Sequence, residues 1–336
     1  MTREGGGGAA GVSAPGKLMI CGEYVVLDGA EAIVAAVSAR AYARWSAPPH
    51  DGSPLTLGGS PDWPGAPHEA VVARRWAEAS TRPDARTLVI DVSELRQSQK
   101  KIGLGSSAAA AAAASGAVFD AAGLDVRDRA VRARVLDAAL GGHREVAPEG
   151  SGADVAASVM GGFVRFRRLG DAVEALPLEW PQAVEVATIW TSSEARTSDF
   201  VGAVRSFRQA DPAGYRACAR ELAAESEQVA SAAIANDSKA LIEAVGGFGR
   251  AMGRLGEAAH VPILTPGLEL VADLASRAGG SAKPSGAGGG DVAVAFFDDR
   301  DRRIAFETAC RDRGLVVLSL ALGAEGVRPE ASQGNV

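Results

Sequence analysis

The sequence predicts an α+β fold in two parts, and three observations carry that reading. Its segments run strand, helix, strand in the second half, the order of helices layered on a sheet. Its 336 residues are 47% hydrophobic, enough for a large core or for two domains with a cleft between them. A change of character between Leu176 and Glu185 divides it into residues 12–180 and 181–325, and no internal repeat is visible.

The first half opens with apolar runs from Val12 to Ala47, broken by Gly22 and Gly29 as early strands and their turns would be. Proline and glycine cluster from Pro48 to Pro67, a loop or surface excursion. His68 to Ser80 has helical spacing, Leu88 to Val92 reads as a strand, and helices follow over Ser106–Ala122 and Val126–Leu140. A short helix leaves a Gly-Ser-Gly turn between Gly150 and Met160, and Gly162 to Arg168 alternates like a strand. In the second half Val184–Thr191 is a strand and Thr197–Phe207 a short helix. Asp211–Ala259 is mostly helical, with a glycine-rich interruption at Gly246–Gly249. A Thr-Pro start opens a helix over Thr265–Ala278. A glycine loop then leads to a buried strand at Val292–Phe297, a charged helix at Asp301–Arg313 and a last strand at Leu315–Leu322.

The most informative stretch is Lys100 to Ala114, KKIGLGSSAAAAAAA. A Gly-x-Gly turn lets backbone pass close to a ligand, Ser106 and Ser107 can cap the helix that follows, and the unpaired amides of its first turn face an anion. Seven alanines favour the helix and leave it no bulk, so it packs closely against neighbours. The same stretch also reads simply as a buried alanine helix behind a Gly-Ser turn. Gly103, Gly105 and Ala108 match the dinucleotide pattern, but that pattern needs its glycines directly after a strand and an acid at the end of the next. Neither holds, and no Lys-Ser or Lys-Thr completes a Walker loop.

The lysines favour phosphate. The chain uses arginine freely and has five lysines, Lys17, Lys100, Lys101, Lys239 and Lys283, of which all but Lys239 lie in or beside glycine-rich segments. A compact ammonium suits phosphate where an arginine fork takes more room.

Composition excludes other classes. A formal charge of −6 without a basic stripe argues against nucleic acid. Cys21, Cys218 and Cys310 form neither a disulfide framework nor a zinc pattern, and Cys310 reads as a small core residue. The four histidines lack metal spacing. No stretch is apolar enough to span a bilayer and the glycine-rich start lacks a signal-peptide core, so a soluble, cytoplasmic protein is expected.

Three motifs stand in order: Ala14-Pro-Gly-Lys-Leu-Met-Ile-Cys-Gly-Glu-Tyr24, Gly103-Leu-Gly-Ser-Ser-Ala108 and Ser285-Gly-Ala-Gly-Gly-Gly-Asp291, with a fourth at Gly150-Ser-Gly-Ala-Asp154. Together they resemble the GHMP small-molecule kinases, over about Val12 to Gly323. The resemblance implies a two-domain α+β fold, with a ribosomal S5 domain 2-like N-terminal part, a ferredoxin-like C-terminal part, and ATP meeting its acceptor in the cleft between them. Glu23-Tyr24, the lysine pair before Gly103, the terminal Asp291 and Ala195-Arg-Thr-Ser-Asp199 are most similar to the phosphomevalonate kinase branch. One departure is His143-Arg-Glu-Val-Ala-Pro-Glu-Gly150, which lacks the Gln-Gly-Lys character common before the Ser-Gly-x-Asp motif.

The resemblance implies roles. Lys101, Gly103, Leu104, Gly105, Ser106, Ser107 and Ala108 would wrap the ATP phosphates, with the Ser107 hydroxyl on Mg²⁺. Lys17 would neutralise the transferred group and hold Asp154; with a hydroxyl acceptor Asp154 would serve as base or orienter. A phosphate acceptor ionises near about pH 6 and needs less base and more positive charge. Lys100, Lys101 and Arg196 would meet that demand, with Ser151, Gly152, Ser198, Ser285, Gly286, Ala287, Gly288 and Asp291 as further acceptor contacts. A second Mg²⁺ ligand would be a carboxylate, Glu145 or Glu149. His143 and Arg144 read as surface residues at a helix end, and Trp45 and Trp190 as core or pocket walls. The expected partner is a small phosphorylated mevalonate-type acid, with neither nucleic acid nor membrane, in a monomer or homodimer. The alternatives are a kinase with a hydroxyl acceptor, such as a mevalonate kinase, and a non-catalytic nucleotide-binding protein.

Overall fold

The computed structural model describes residues 11–46, 55–57, 67–81, 86–97, 100–191, 197–290 and 292–331. Most of the Pro48–Pro67 excursion, with Arg196 and Asp291, lies outside them.

The described residues open with β1 (Gly11–Cys21), a 3-10 turn at Val25–Asp28 and β2 (Ala32–Ser46). Then come β3 (Leu55–Leu57), α1 (His68–Glu78), β4 (Thr87–Asp91), and a two-residue ribbon of β5 (Arg96–Gln97) and β6 (Lys100–Lys101). Helices α2 (Ser106–Ala121), α3 (Arg129–Val146) and α4 (Ala153–Met160) precede a hairpin of β7 (Phe163–Leu169) and β8 (Ala172–Leu178). After β9 (Glu185–Trp190) run α5 (Thr197–Ala210), α6 (Pro212–Ile234), α7 (Ser238–Ala258) and α8 (Pro266–Arg277). The chain closes through β10 (Ser281–Pro284), β11 (Val292–Phe297), α9 (Arg300–Asp312), β12 (Val316–Leu318) and β13 (Arg328–Glu330).

Two sheets organise these elements, as the α+β reading expects. The larger runs β13-β1-β2-β4-β3, with β7 joined to the start of β2 and β8 to β7. The smaller is antiparallel, β10-β11-β9-β12. Ala108 to Ala114 are all buried, so α2 lies flat on the large sheet and against its neighbours. Leu222 and Val229 of α6 and Val245 and Phe248 of α7 share one continuous core with that sheet and with Phe296 of the small one. Ile189, Phe297, Phe306 and Cys310 form a second core between the small sheet and α9.

Glycines misled the element reading twice, for one reason. Gly246–Gly249 do not interrupt α7; the break falls at Asn236, whose φ is +56°, and Asp237 caps the new helix by accepting the Ala240 amide at 3.0 Å. A Cβ on Gly247 would lie 2.3 Å from Glu225 and one on Gly249 3.0 Å from the Lys283 side chain, so these glycines let α7 close on its neighbours. Gly141 and Gly142 likewise do not stop α3, which continues to Val146; a Cβ there would strike Trp76 at 2.5 Å and Ala73 at 2.6 Å on α1. The last strand is shorter than expected, and β3, β5, β6, β8, β10 and β13 are additions to the sequence reading; β13 returns to pair with β1. Trp45 is buried beneath the guanidinium groups of Arg74 and Arg86.

The two parts are tied near Glu31. This buried residue accepts from Arg165 and Arg167 on β7, and its carbonyl accepts the Ser226 hydroxyl of α6 at 2.6 Å. Burial pushes its carboxyl up, but the two guanidinium groups outweigh burial and hold it below the ordinary 4.5. A depressed folded-state pKa means stability that is present above the ordinary value and lost as pH falls through the folded one. Glu31→Gln should therefore cost about 1–3 kcal/mol at pH 7 and flatten the loss of stability below pH 4.5; urea unfolding at pH 7 and in acid measures both.

Candidate active site

A cleft of about 800 Å³ opens between the two parts. Its walls are β1, the Glu23–Tyr24 turn, residues 101–108, the α3–α4 connection, Val201 of α5 and residues 285–288.

One wall is built from backbone. The β1–β2 register shifts between Pro15 and Lys17, a bulge centred on Gly16, where a Cβ would come within 2.7 Å of the Leu104 carbonyl. That close approach lets the Lys17 amide donate to the Leu104 carbonyl at 2.9 Å, and its ammonium donates to the Gly103 carbonyl at 3.2 Å. Gly103 and Gly105 have φ of +75° and +73°, and a Cβ on Gly105 would lie 2.9 Å from the Lys17 side chain. Gly105 itself is the N-cap of α2, without a side-chain hydrogen bond. The serines are therefore the first two helical residues, not the cap that the sequence pointed to. The first amide to bond back is Ala109, to Gly105 at 2.9 Å, which leaves the start of α2 open toward the cleft.

Helix α4 starts in the same way, from Gly152 at φ +83°. Here side chains serve the first turn: the Ser151 hydroxyl accepts the Ala153 amide at 3.2 Å, and Asp154 accepts the Val155 amide at 2.9 Å. Lys17, Ser151 and Asp154 share the cleft. Asp154 and Lys17 form no ion pair; the ammonium is engaged by Gly103 instead, which corrects the expected Lys17–Asp154 contact. Gly152 does not line the cleft and is required by its backbone conformation.

The second glycine loop is fastened across the cleft. Ser285 accepts the Met19 amide at 2.8 Å, the Gly286 amide donates to Glu23 at 3.1 Å, and the Tyr24 hydroxyl donates to the Ala287 carbonyl at 2.5 Å. Tyr24 holds a φ of +67°, uncommon for a side chain of its size, and burial with the Glu23 charge beside it raises its phenol, keeping it a donor. Beneath the loop, Lys283 pairs with Glu23 and donates to the Met19 carbonyl at 3.2 Å; the two side-chain residues are 2% and 3% exposed. Burial pulls the Lys283 pKa down while Glu23 opposes it.

Lys283 is thus a buried tie and not the phosphate lysine that its glycine-rich surroundings indicated. Both lysines of the pair are exposed, but adjacent strand residues point to opposite sides: Lys101 lines the cleft and Lys100 does not. Glu145 faces α1, where it accepts from Arg75 at 2.5 Å and Trp76 at 3.2 Å, so its expected metal role is corrected. Glu149 lines the cleft, paired with Arg205. Gly103, Leu104, Ser106, Ser107, Ala108, Gly286, Ala287 and Gly288 also lie where the sequence placed them, along the cleft. Arg196 and Asp291 fall outside the described residues, and Ser198 contributes the first turn of α5. His143, read as surface, is buried in the cleft wall; α3 runs six residues past the expected end at Leu140, and that extension carries it.

Among the described residues no group of three His, Cys, Asp or Glu side chains is placed to hold a metal, and no helix is long and apolar enough to cross a membrane. Ser107 and Glu149 both line the cleft and could serve Mg²⁺, which takes one or two protein oxygens and otherwise binds water and phosphates; Glu149 would first have to leave Arg205.

Two sheets share a helical layer, and the open start of α2 and the second glycine loop line one cleft between them. The chain belongs to the GHMP kinases: residues 86–162 match the model of the GHMP kinases N terminal domain and residues 231–314 that of the GHMP kinases C terminal. It is 29% identical to phosphomevalonate kinase of Streptomyces sp. (strain CL190), covering 94% of this chain and 97% of that protein. It is 27% identical to mevalonate kinase of Pyrococcus horikoshii, covering 95% and 97%. The structure of Streptococcus pneumoniae phosphomevalonate kinase in complex with phosphomevalonate and AMPPNP superposes with a TM-score of 0.77 at 18% identity, covering 92% of this chain and 98% of that one. GHMP kinases draw their phosphoryl group from ATP.

The Glu23–Lys283 tie has a measurable consequence. Lys283→Met leaves a buried carboxylate without its cation and should cost about 3–5 kcal/mol in chemical unfolding. Adding Glu23→Gln should recover part of that loss, because the uncompensated charge is then gone.

Proposed function

We propose that this protein is an ATP- and Mg²⁺-dependent kinase that phosphorylates 5-phosphomevalonate to 5-diphosphomevalonate, a step of isoprenoid biosynthesis. The observation that carries the reading is the open start of α2 with Lys17 and Lys101 beside it, facing the acid of α4 and the 285–288 loop across one cleft. The full-length similarity to a phosphomevalonate kinase supports the acceptor.

An oxygen of the acceptor's phosphate attacks the γ-phosphorus of ATP, the bond to the β–γ bridging oxygen breaks, and ADP leaves. A phosphate acceptor has its second ionisation near about pH 6, so it arrives without a proton that must be removed. Positioning and charge stabilisation then supply most of the catalysis. The α2 amides and Lys101 would hold the nucleotide phosphates. Lys17, fixed by Gly103 and Leu104, would place positive charge at the transferred group. When bound, Mg²⁺ would offset phosphate charge, and Ser107 and Glu149 are the side chains that would hold it.

Asp154 keeps a second reading in play. Its carboxylate makes one local amide contact and no ion pair with Lys17, which leaves it able to accept a proton from a hydroxyl acceptor such as mevalonate. Parallel assays of ADP release with phosphomevalonate, mevalonate, homoserine and galactose separate the two. Turnover with phosphomevalonate alone supports the proposal; turnover with an alcohol alone overturns the acceptor. Binding of MgADP without turnover of any acceptor would favour a non-catalytic nucleotide-binding protein. Lys17→Met should lower kcat by about 10²–10³-fold with the fold unchanged by circular dichroism. Asp154→Asn should cost about 10²–10⁴-fold if it takes a proton, and much less if the acceptor is a phosphate.

A further inference from the structure

We propose that His143 contacts ligand in this cleft, donating an imidazole N–H to a phosphate oxygen bound between the starts of α2 and α4; the inference rests on the phosphoryl-transfer reading above. His143 lies in the last turn of α3 and is 8% exposed. Neither of its ring nitrogens has a hydrogen-bond partner among the described residues. Buried polar groups are nearly always paired, so two orphaned nitrogens on one ring call for an explanation. Among the buried side chains with an unpartnered nitrogen or oxygen, His143 and Glu23 are the ones that line the cleft. Glu23 already spends its other oxygen on Lys283 and Gly286. His143 has no polar contact at all to fix its ring.

The space around the ring is kept for it. A Cβ on Gly150 would come within 2.2 Å of Nε2 and 3.0 Å of Cε1. Gly150 is not among the residues of positive φ, so the backbone does not require a glycine there; the imidazole does. The turn carrying it is held by the Gly150 amide on the Ala147 carbonyl and by Arg168 on the Gly150 carbonyl, each at 2.9 Å. A ring confined by a fixed turn, in one cleft with Ser151, Asp154, the α2 amides and Lys17, is placed to meet an anion. An imidazole always carries at least one N–H, and a phosphate oxygen accepts it.

The phosphate could belong to the nucleotide or to the acceptor, and the test separates them. His143→Leu replaces an unpaired buried polar ring with an apolar side chain of similar reach, so its melting temperature should equal or exceed that of the wild type. Its kcat/KM should nonetheless fall about 10- to 100-fold, as for loss of a hydrogen bond to a charged group. Gly150→Ala, which must displace the ring, should move activity in the same direction, and His143→Gln, which keeps an N–H donor, should retain more than His143→Leu. A weaker Kd for MgADP by calorimetry assigns the contact to the nucleotide; an unchanged Kd with a raised KM for phosphomevalonate assigns it to the acceptor. Wild-type kcat, KM and Kd in His143→Leu would overturn the proposal, as would an activity loss that merely follows a lowered melting temperature. If the wild-type protein itself binds no MgADP and turns over no acceptor, the reading of the cleft falls and this inference with it.

Discussion

The buried pair of Glu23 and Lys283 is the constraint on which the cleft depends. The two residues are 260 positions apart and come from different sheets, Glu23 from the turn after β1 and Lys283 from β10. A desolvated pair repays its burial only when further hydrogen bonds complete it, and here the Met19 carbonyl and the Gly286 amide do so. Those same bonds fix the 285–288 loop against β1. The Tyr24 hydroxyl and the Ser285 side chain extend the seam on either side. The distance between the two glycine loops, and so the width available to a ligand, is set by this seam.

Around that seam the cleft separates into a wall of backbone and a wall of side chains. Gly16 and Gly105 bring β1 and the start of α2 so close that main-chain atoms and one lysine occupy the space where side chains would otherwise stand. Amides held this way need no reorganisation to meet negative charge, which is the condition for strong electrostatic stabilisation. The α3–α4 connection does the opposite, presenting His143, Glu149, Ser151 and Asp154 from consecutive turns.

How much of this was legible in the sequence follows from the range of each interaction. The alanine helix and the glycine turns at its start and before α4 were readable because propensity and left-handed glycine conformations are local. The glycine pairs at Gly141–Gly142 and Gly246–Gly247 were not, because what they serve is a neighbouring helix, and only the tertiary structure shows Trp76 or Glu225 in the way of a Cβ. Taking the first pair for a helix end hid His143 and left Glu145 and Glu149 undecided. With α3 extended, Glu145 falls toward Arg75 and Trp76 and Glu149 falls in the connection that lines the cleft. Lys283 was misread for a related reason: a lysine beside a glycine loop looks the same whether it meets phosphate or a carboxylate 260 residues away.

The two walls also explain where a change of acceptor would be written. A nucleotide phosphate presents the same oxygens whatever the acceptor, so a wall of amides can serve every such reaction and tolerates little change in its glycines. An acceptor differs in charge and in whether it carries a proton to be removed, and those properties are matched by side chains. In the proposed reading they would come from the α3–α4 connection. Asp154 stands at the division. Free of Lys17 it could take a proton, and beside cations it could instead orient them, so in the proposed reading the acceptor would be decided by what surrounds Asp154 more than by Asp154 itself. The glycine framework and the Glu23–Lys283 seam can stay fixed while that surrounding changes, which is why the fold is legible from motifs and the acceptor must be argued from individual side chains.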